Sequence, residues 1–274
     1  MNNLVDFNAI ISRILLPLKK DKISLNGEVF RFLFLLSFDS LKAAEVGNPL
    51  IHHLVVLKHV IEIAQEENLN ILHAGAIAIL HDIAPIEKIR KADLLGHDDL
   101  EVKRLLDEER KQHRVFHMRE GSELAREKLL LLNEYLGQTL FSDQDIKVVC
   151  NVISIHDNPS IDYPIPKENH LAVSFREADR LWMLSNEGFR CDLERDAGIT
   201  AKSTQTETLA INRLNHILKR FKEERKLYNS NDGPFLDDDL FFRTKSGYHI
   251  YLKYLSERKE QHRIRLYESA LEVT

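Results

Sequence analysis

The apolar run Ile71-Leu72-His73-Ala74-Gly75-Ala76-Ile77-Ala78-Ile79-Leu80 leads directly into His81-Asp82-Ile83. A buried carboxylate and imidazole are costly unless they are paired, hydrogen-bonded or bound to a cation. A metal ion is the cation this pair suggests. Pro85 closes the run, and across most of the chain apolar residues recur at steps of three and four with almost no strand-like alternation. The expected fold is all-α.

Working outward, Pro49 opens a helix running to about Glu67, a first-turn proline being well suited to a helix start. Two helices are expected before it. Residues 4–18 carry Leu4, Phe7, Ile10, Ile11, Ile14 and Leu15 on one face, and residues 27–44 end at Gly47-Asn48-Pro49. After Pro85, residues 86–100 read as loops or short helices, and residues 98–112, dense in both charge signs, as a solvated helix face. A long helix covers about 115–135 and stops at Gly137. Ser142 with Asp145 has the spacing of a capping box and starts the next helix. Residues 158–166, Asn-Pro-Ser-Ile-Asp-Tyr-Pro-Ile-Pro, form a loop, and a helix spans about 168–184. Residues 188–203 read as irregular, helices cover about 207–226 and 247–271, and residues 229–234 make a turn. No internal repeat or long linker divides the chain, so residues 1–274 are expected to form a single helical domain.

Composition narrows the function classes. Of the 274 residues 43% are apolar and 30% charged, with a formal net charge of −5, which suits a soluble globular protein. The acidic balance argues against nucleic acid or acidic membranes as partners. Lys219-Arg220-Phe221-Lys222 and Arg258-Lys259 read as solvated helix faces. Cys150 and Cys191 have neither a metal-type spacing nor a disulfide framework, and the first residues lack a signal peptide. The expected location is cytoplasmic, with the cysteines free.

Several helices each present a polar residue from an apolar stripe. His52 shares its stripe with Val56, Val60 and Ala64; His117 precedes Gly121 and Leu124, the glycine allowing close approach of a neighbour; His156 lies with Val149 and Ile153; and Asp179 lies with Ala172, Phe175 and Trp182. His53 and His59 are near His52, but His59 falls off its four-step stripe. Imidazole and carboxylate are ligands that iron, manganese, zinc or cobalt accept. Four histidines (His52, His81, His117, His156) and two aspartates (Asp82, Asp179) exceed what one tetrahedral site uses. A binuclear centre fits that count, with Asp82 as its bridge.

The order His52, His81-Asp82, His117, His156, Asp179 resembles the HD-domain superfamily of metal-dependent phosphohydrolases, whose signature is a His, a His-Asp pair and a distant Asp. The contexts His52-His53-Leu54-Val55-Val56, Ala78-Ile79-Leu80-His81-Asp82-Ile83 and Glu177-Ala178-Asp179-Arg180-Leu181 carry the likeness, as does the interval of 29 residues from His52 to His81. It covers about residues 50–184, leaving 185–274 as a C-terminal helical extension. It implies an HD-domain-like helical bundle with additional N- and C-terminal helices. His117 and His156 would be the extra histidines of binuclear members, among them dinucleoside polyphosphate hydrolases and cyclic-dinucleotide phosphodiesterases. Mixed-valence di-iron oxygenases, similar to myo-inositol oxygenase, use the same ligand set.

The sequence also departs from the superfamily pattern. Many members continue the pair as His-Asp-Ile-Gly-Lys, whereas this chain reads His81-Asp82-Ile83-Ala84-Pro85, so Lys88 is the candidate lysine near phosphate. Asp157 stands where some members have a second histidine after His156, and Asp162-Tyr163-Pro164 replaces the Gly-Tyr-Pro of cyclic-di-GMP enzymes, which sets that substrate aside. The resemblance implies hydrolysis of a phosphoester, in a nucleotide or other small molecule. Two divalent ions (iron, manganese, cobalt, zinc or magnesium) would be the cofactors, Asp82 would orient a water, and Arg176 with Lys88 would face the phosphate. A di-iron oxygenase and a non-catalytic nucleotide-sensing module are the alternatives, and a homodimer is possible through the C-terminal part.

Overall fold

The computed structural model describes residues 20–44, 49–84, 99–197 and 205–261. Among them are nine α-helices and no strand: α1 (Lys20–Ala44), α2 (Pro49–Glu66), α3 (Ile71–Leu80), α4 (Asp99–Leu136), α5 (Asp143–Ile153), α6 (His170–Trp182), α7 (Asn186–Ala197), α8 (Gln205–Arg225) and α9 (Lys245–Gln261). The fold is all-α, as expected. No helix among the described residues is long and apolar enough to cross a membrane. Residues 4–18, Lys88 and the segment beyond Gln261 lie outside the described residues.

The apolar run forms α3, and it is the innermost helix. Asn70 caps it, its side chain accepting from the N–H groups of Leu72 (2.9 Å) and His73 (3.1 Å). Every residue from Ala74 to Leu80 is buried, as befits a helix that is apolar all round. It packs against α1, α2, α5 and α6, and α2 in turn packs against α1, α3, α6, α7 and α9. Gly75 is where α1 comes closest: a Cβ there would overlap the Phe30 ring. Gly75→Ala should therefore destabilise the fold by about 1–3 kcal/mol, the cost of overpacking a filled core, and a chemical denaturation curve measures it.

The expected capping box at α5 is present, with Asp145 N–H donating to Ser142 Oγ (3.2 Å) and Ser142 N–H to Asp145 Oδ2 (2.8 Å). Asp145 also pairs through Oδ1 with His73 Nε2 (2.8 Å), which ties α5 to α3.

The structure corrects three boundaries. First, α1 begins at Lys20, earlier than the expected 27. Second, α4 is one helix of 38 residues that starts at Asp99, joining the expected helix face of 98–112 to the expected 115–135 helix; its charged first half carries i,i+4 pairs such as Arg104–Glu108 (2.9 Å). Third, residues 186–197 are helical rather than irregular. Gly188 marks close packing there and not a break, since a Cβ would collide with the Trp182 carbonyl. The 158–166 loop begins with a 3-10 turn, Asn158–Ile161.

Two buried polar contacts fasten α9 to the core. Glu177 of α6 caps its N-terminus, Oε1 accepting from the N–H groups of Arg243 (2.6 Å) and Thr244 (3.1 Å), and Oε2 from the Thr244 hydroxyl. Burial pushes the Glu177 carboxyl up to about 7, against the pull of these hydrogen bonds. On α2, His59 Nε2 meets the Tyr254 hydroxyl at 2.8 Å. Burial, then the nearby Lys58 charge, push the His59 imidazole down to about 3. The unfolded chain therefore binds a proton at His59 that the folded chain refuses between pH about 6.5 and about 3. Stability conferred by neutral His59 is complete above pH 6.5 and falls as the pH drops, by up to about 1.4 kcal/mol per pH unit. His59→Gln, which keeps a polar partner for Tyr254 and cannot titrate, should flatten the stability profile between pH 6.5 and 4.5, measured by urea unfolding.

Candidate metal centre

Five parts of the fold deliver six side chains to one point. His52 comes from α2, His81 and Asp82 directly follow α3, His117 comes from α4, His156 from the turn after α5, and Asp179 from α6. All four histidines are buried, and the side chain of Asp82 retains 22% exposure. The six fall into two groups, His52–His81–Asp179 and Asp82–His117–His156, with the ligand atoms of each within 4.8 Å of one another.

In the first group His52 Nε2 lies 3.0 Å from His81 Nε2 and 3.6 Å from Asp179 Oδ1, and His81 Nε2 lies 3.9 Å from the same oxygen. In the second, Asp82 Oδ1 is 2.9 Å from His117 Nε2 and 3.3 Å from His156 Nε2. Asp82 also touches the first group through its other oxygen, Oδ2 being 3.3 Å from His81 Nε2 and 3.6 Å from His52 Nε2. One carboxylate thus divides its two oxygens between two ligand groups. Atoms sharing an ion at about 2.1 Å lie roughly 3–4 Å apart, which these separations match.

The protons make the case for a cation. His81, His117 and His156 each donate Nδ1–H to a backbone carbonyl, of Ala78 (3.1 Å), Ala84 (2.8 Å) and Ile153 (2.7 Å) respectively. Such a second bond fixes the tautomer of a metal-ligating imidazole and its tilt. In the neutral ring Nε2 is then a bare lone pair, and all three are aimed at Asp82 or His52. Lone pairs facing a carboxylate at 2.9 Å repel unless a proton or a metal ion stands between them. His156 Nε2 is buried without a hydrogen bond. Burial opposes the charge of Asp82, but His81, then His117, His156 and His52, outweigh it and hold the carboxyl well below the usual range.

Of the neighbouring histidines His52, His53 and His59, it is His52 whose Nε2 faces Asp82, Asp179 and His81. His53 is turned away, Nδ1 bonded to the Ala78 carbonyl at 3.1 Å, and burial with the neighbouring His81 and His52 keeps its imidazole neutral. His59 is engaged by Tyr254. The Trp182 ring meets the His52 ring edge-on at 5.0 Å. A Cβ at Gly121 would lie 3.4 Å from the His81 carbonyl, ordinary contact, so the neighbour's approach does not require glycine.

Arg176 differs from its expected role. It is 1% exposed, and its guanidinium is committed to protein groups: Nε and Nη2 grip Glu224 of α8 (2.7 and 2.9 Å), and Nη1 donates to Asp157 Oδ1 (3.0 Å) and the His156 carbonyl (3.1 Å). Its Nη1 also lies 3.7 Å from Asp179 Oδ2. Arg176 thus positions two ligand segments and does not face a substrate. Lys88 lies outside the described residues.

Asp157, Glu224 and Arg114 are the polar groups around the centre that sequence reasoning did not place. Asp157 also binds Arg114 of α4 and the Ser160 hydroxyl (3.1 Å), and although burial opposes its charge, Arg114, His156 and Arg176 keep it ionised. The signal for Glu224 was present: it continues the stripe Ala210, Leu214, Ile217, Phe221, all fully buried. Comparison with protein-family models, with curated proteins and with solved structures finds no match to this chain.

Proposed function

We propose that the chain is a metal-dependent phosphohydrolase of the HD type, acting on a nucleotide or related phosphoester through two divalent metal ions. The observation that carries this reading is Asp82, whose two oxygens each face a separate two-histidine group. Sets of nitrogen and carboxylate ligands suit iron, manganese, cobalt or zinc. When bound, two such ions lower the pKa of a shared water and polarise the phosphoryl oxygens.

The residues supply position and exclusion. His81, His117 and His156 are aimed by the carbonyls of Ala78, Ala84 and Ile153. Asp82 fixes the spacing of the two groups, and its residual exposure marks the side from which substrate and water arrive. Arg176 holds Asp179 and the His156 turn in register.

A di-iron oxygenase uses the same ligand set. Phosphoryl chemistry is favoured here by the positive field of Arg114 and Arg180, which are held beside the centre by Asp157 and by Glu224 and which suit an anionic substrate without contacting it. Protein purified without added metal, assayed on a panel of nucleotides and phosphodiesters with and without dioxygen, decides between them. Phosphate release under argon is the expected result. Turnover that consumes dioxygen, with no phosphate released, would replace this proposal by the oxygenase.

A further inference from the structure

His156 draws little support from its own segment. It lies beyond α5, whose last residue is Ile153, and its backbone N–H reaches the Ile153 carbonyl at 3.5 Å, a long contact for a hydrogen bond. His117, which shares Asp82 Oδ1 with it, stands by contrast inside the 38-residue α4. The bond from His156 Nδ1 to the Ile153 carbonyl (2.7 Å) tilts the ring, but it does not fix where the turn lies relative to α4.

Contacts from α4 itself do that, through the residue after His156. Asp157 Oδ2 accepts from Arg114 Nη1, and the Asp157 N–H donates to Met118 Sδ (3.3 Å). Arg114 and Met118 are four residues apart and share a face of the helix, with His117 between them in sequence. One turn earlier, the Lys111 ammonium pairs with Asp162, at the end of the 3-10 turn that follows Asp157. Helix α4 therefore holds the 157–162 segment at both ends, and the His117 and His156 rings meet edge-on with centroids 5.5 Å apart. Asp157 has a second guanidinium in Arg176, at 3.0 Å, but that side chain also lies 3.7 Å from Asp179 of the other ligand group. The Arg114 guanidinium pairs with Asp157, on the side of the second group.

We infer that Arg114 is a positioning residue for the Asp82–His117–His156 group: its ion pair with Asp157 sets the spacing of His117 and His156, and with it the affinity of one of the two ions. The inference rests on the two-metal reading. Its sign separates positioning from plain electrostatics. A guanidinium beside bound cations repels them, so deleting its charge would by itself tighten metal binding. Loss of positioning weakens it.

Titration of cobalt(II) into the full chain after chelation, followed by the visible absorption of bound cobalt, compares wild type with Arg114→Met and Arg114→Lys. The Arg114 side chain is 32% exposed and Arg176 remains on Asp157, so Arg114→Met strands no buried charge and keeps the fold. Wild type should take up two equivalents. In Arg114→Met one equivalent should bind as in wild type and the other about 10- to 100-fold more weakly, the usual cost of removing an outer partner of a metal ligand. Arg114→Lys keeps the charge without the planar fork and should be intermediate. Unchanged or tighter binding of both equivalents by Arg114→Met, or equal weakening of both, overturns the inference and leaves the metal centre standing. A wild-type chain that takes up fewer than two equivalents removes the two-metal reading itself, and the inference with it.

Discussion

Asp82→Ala is expected to empty both metal positions at once and to abolish phosphohydrolase activity. The reason is geometric. Asp82 Oδ1 faces His117 and His156 while Oδ2 faces His81 and His52, so one truncation removes a ligand from each group. Losing merely an outer partner of a metal ligand costs about 10- to 100-fold in affinity or activity, and loss of a shared ligand should exceed that range. Elemental analysis together with phosphate release measures both consequences. A variant that kept both ions and full activity would refute the site. Asp82→Asn is a useful companion, because it retains one acceptor oxygen and should retain one group's ion better than the other's.

Arg176→Met should lower stability by about 3–5 kcal/mol, the cost of leaving a buried charge without its partner. Arg176 is 1% exposed, and both Glu224, at 7%, and Asp157, at 7%, lose a guanidinium when it goes. A drop of roughly 10 °C in melting temperature corresponds to that loss. The double variant Arg176→Met/Glu224→Gln should recover part of it, since the stranded carboxylate goes with its partner. The single variant should also bind metal less tightly, because Asp179 and the His156 turn are released. A stability change under about 1 kcal/mol would show that Arg176 is not the hub its contacts describe.

Much of the fold was legible because its signals are local. The all-apolar α3, the proline opening α2 and the Ser142–Asp145 box each depend on residues within a turn or two of one another. The six candidate ligands were legible for a related reason: a histidine or aspartate on an apolar stripe stands out against its neighbours. What stayed hidden depends on distant partners. Residues 188–203 read as irregular, since nothing local shows that Gly188 lets the chain pack against the Trp182 carbonyl as helix. The first half of α4 reads as a solvated helix face, but its continuity with the 115–135 helix is not apparent until the 38-residue length is seen. Arg176 resembles a substrate-facing cation in sequence, and its burial against Glu224 arises from α8, 48 residues away. The division of Asp82's oxygens is likewise a property of five converging segments and of no one of them.

The metal content of the wild-type chain, purified without added metal and measured by elemental analysis against protein concentration, bears most directly on the centre. Two transition-metal ions per chain is the expected stoichiometry, set by the groups His52–His81–Asp179 and Asp82–His117–His156. A chain that holds none, and takes up none from excess iron, manganese, cobalt or zinc, would contradict it.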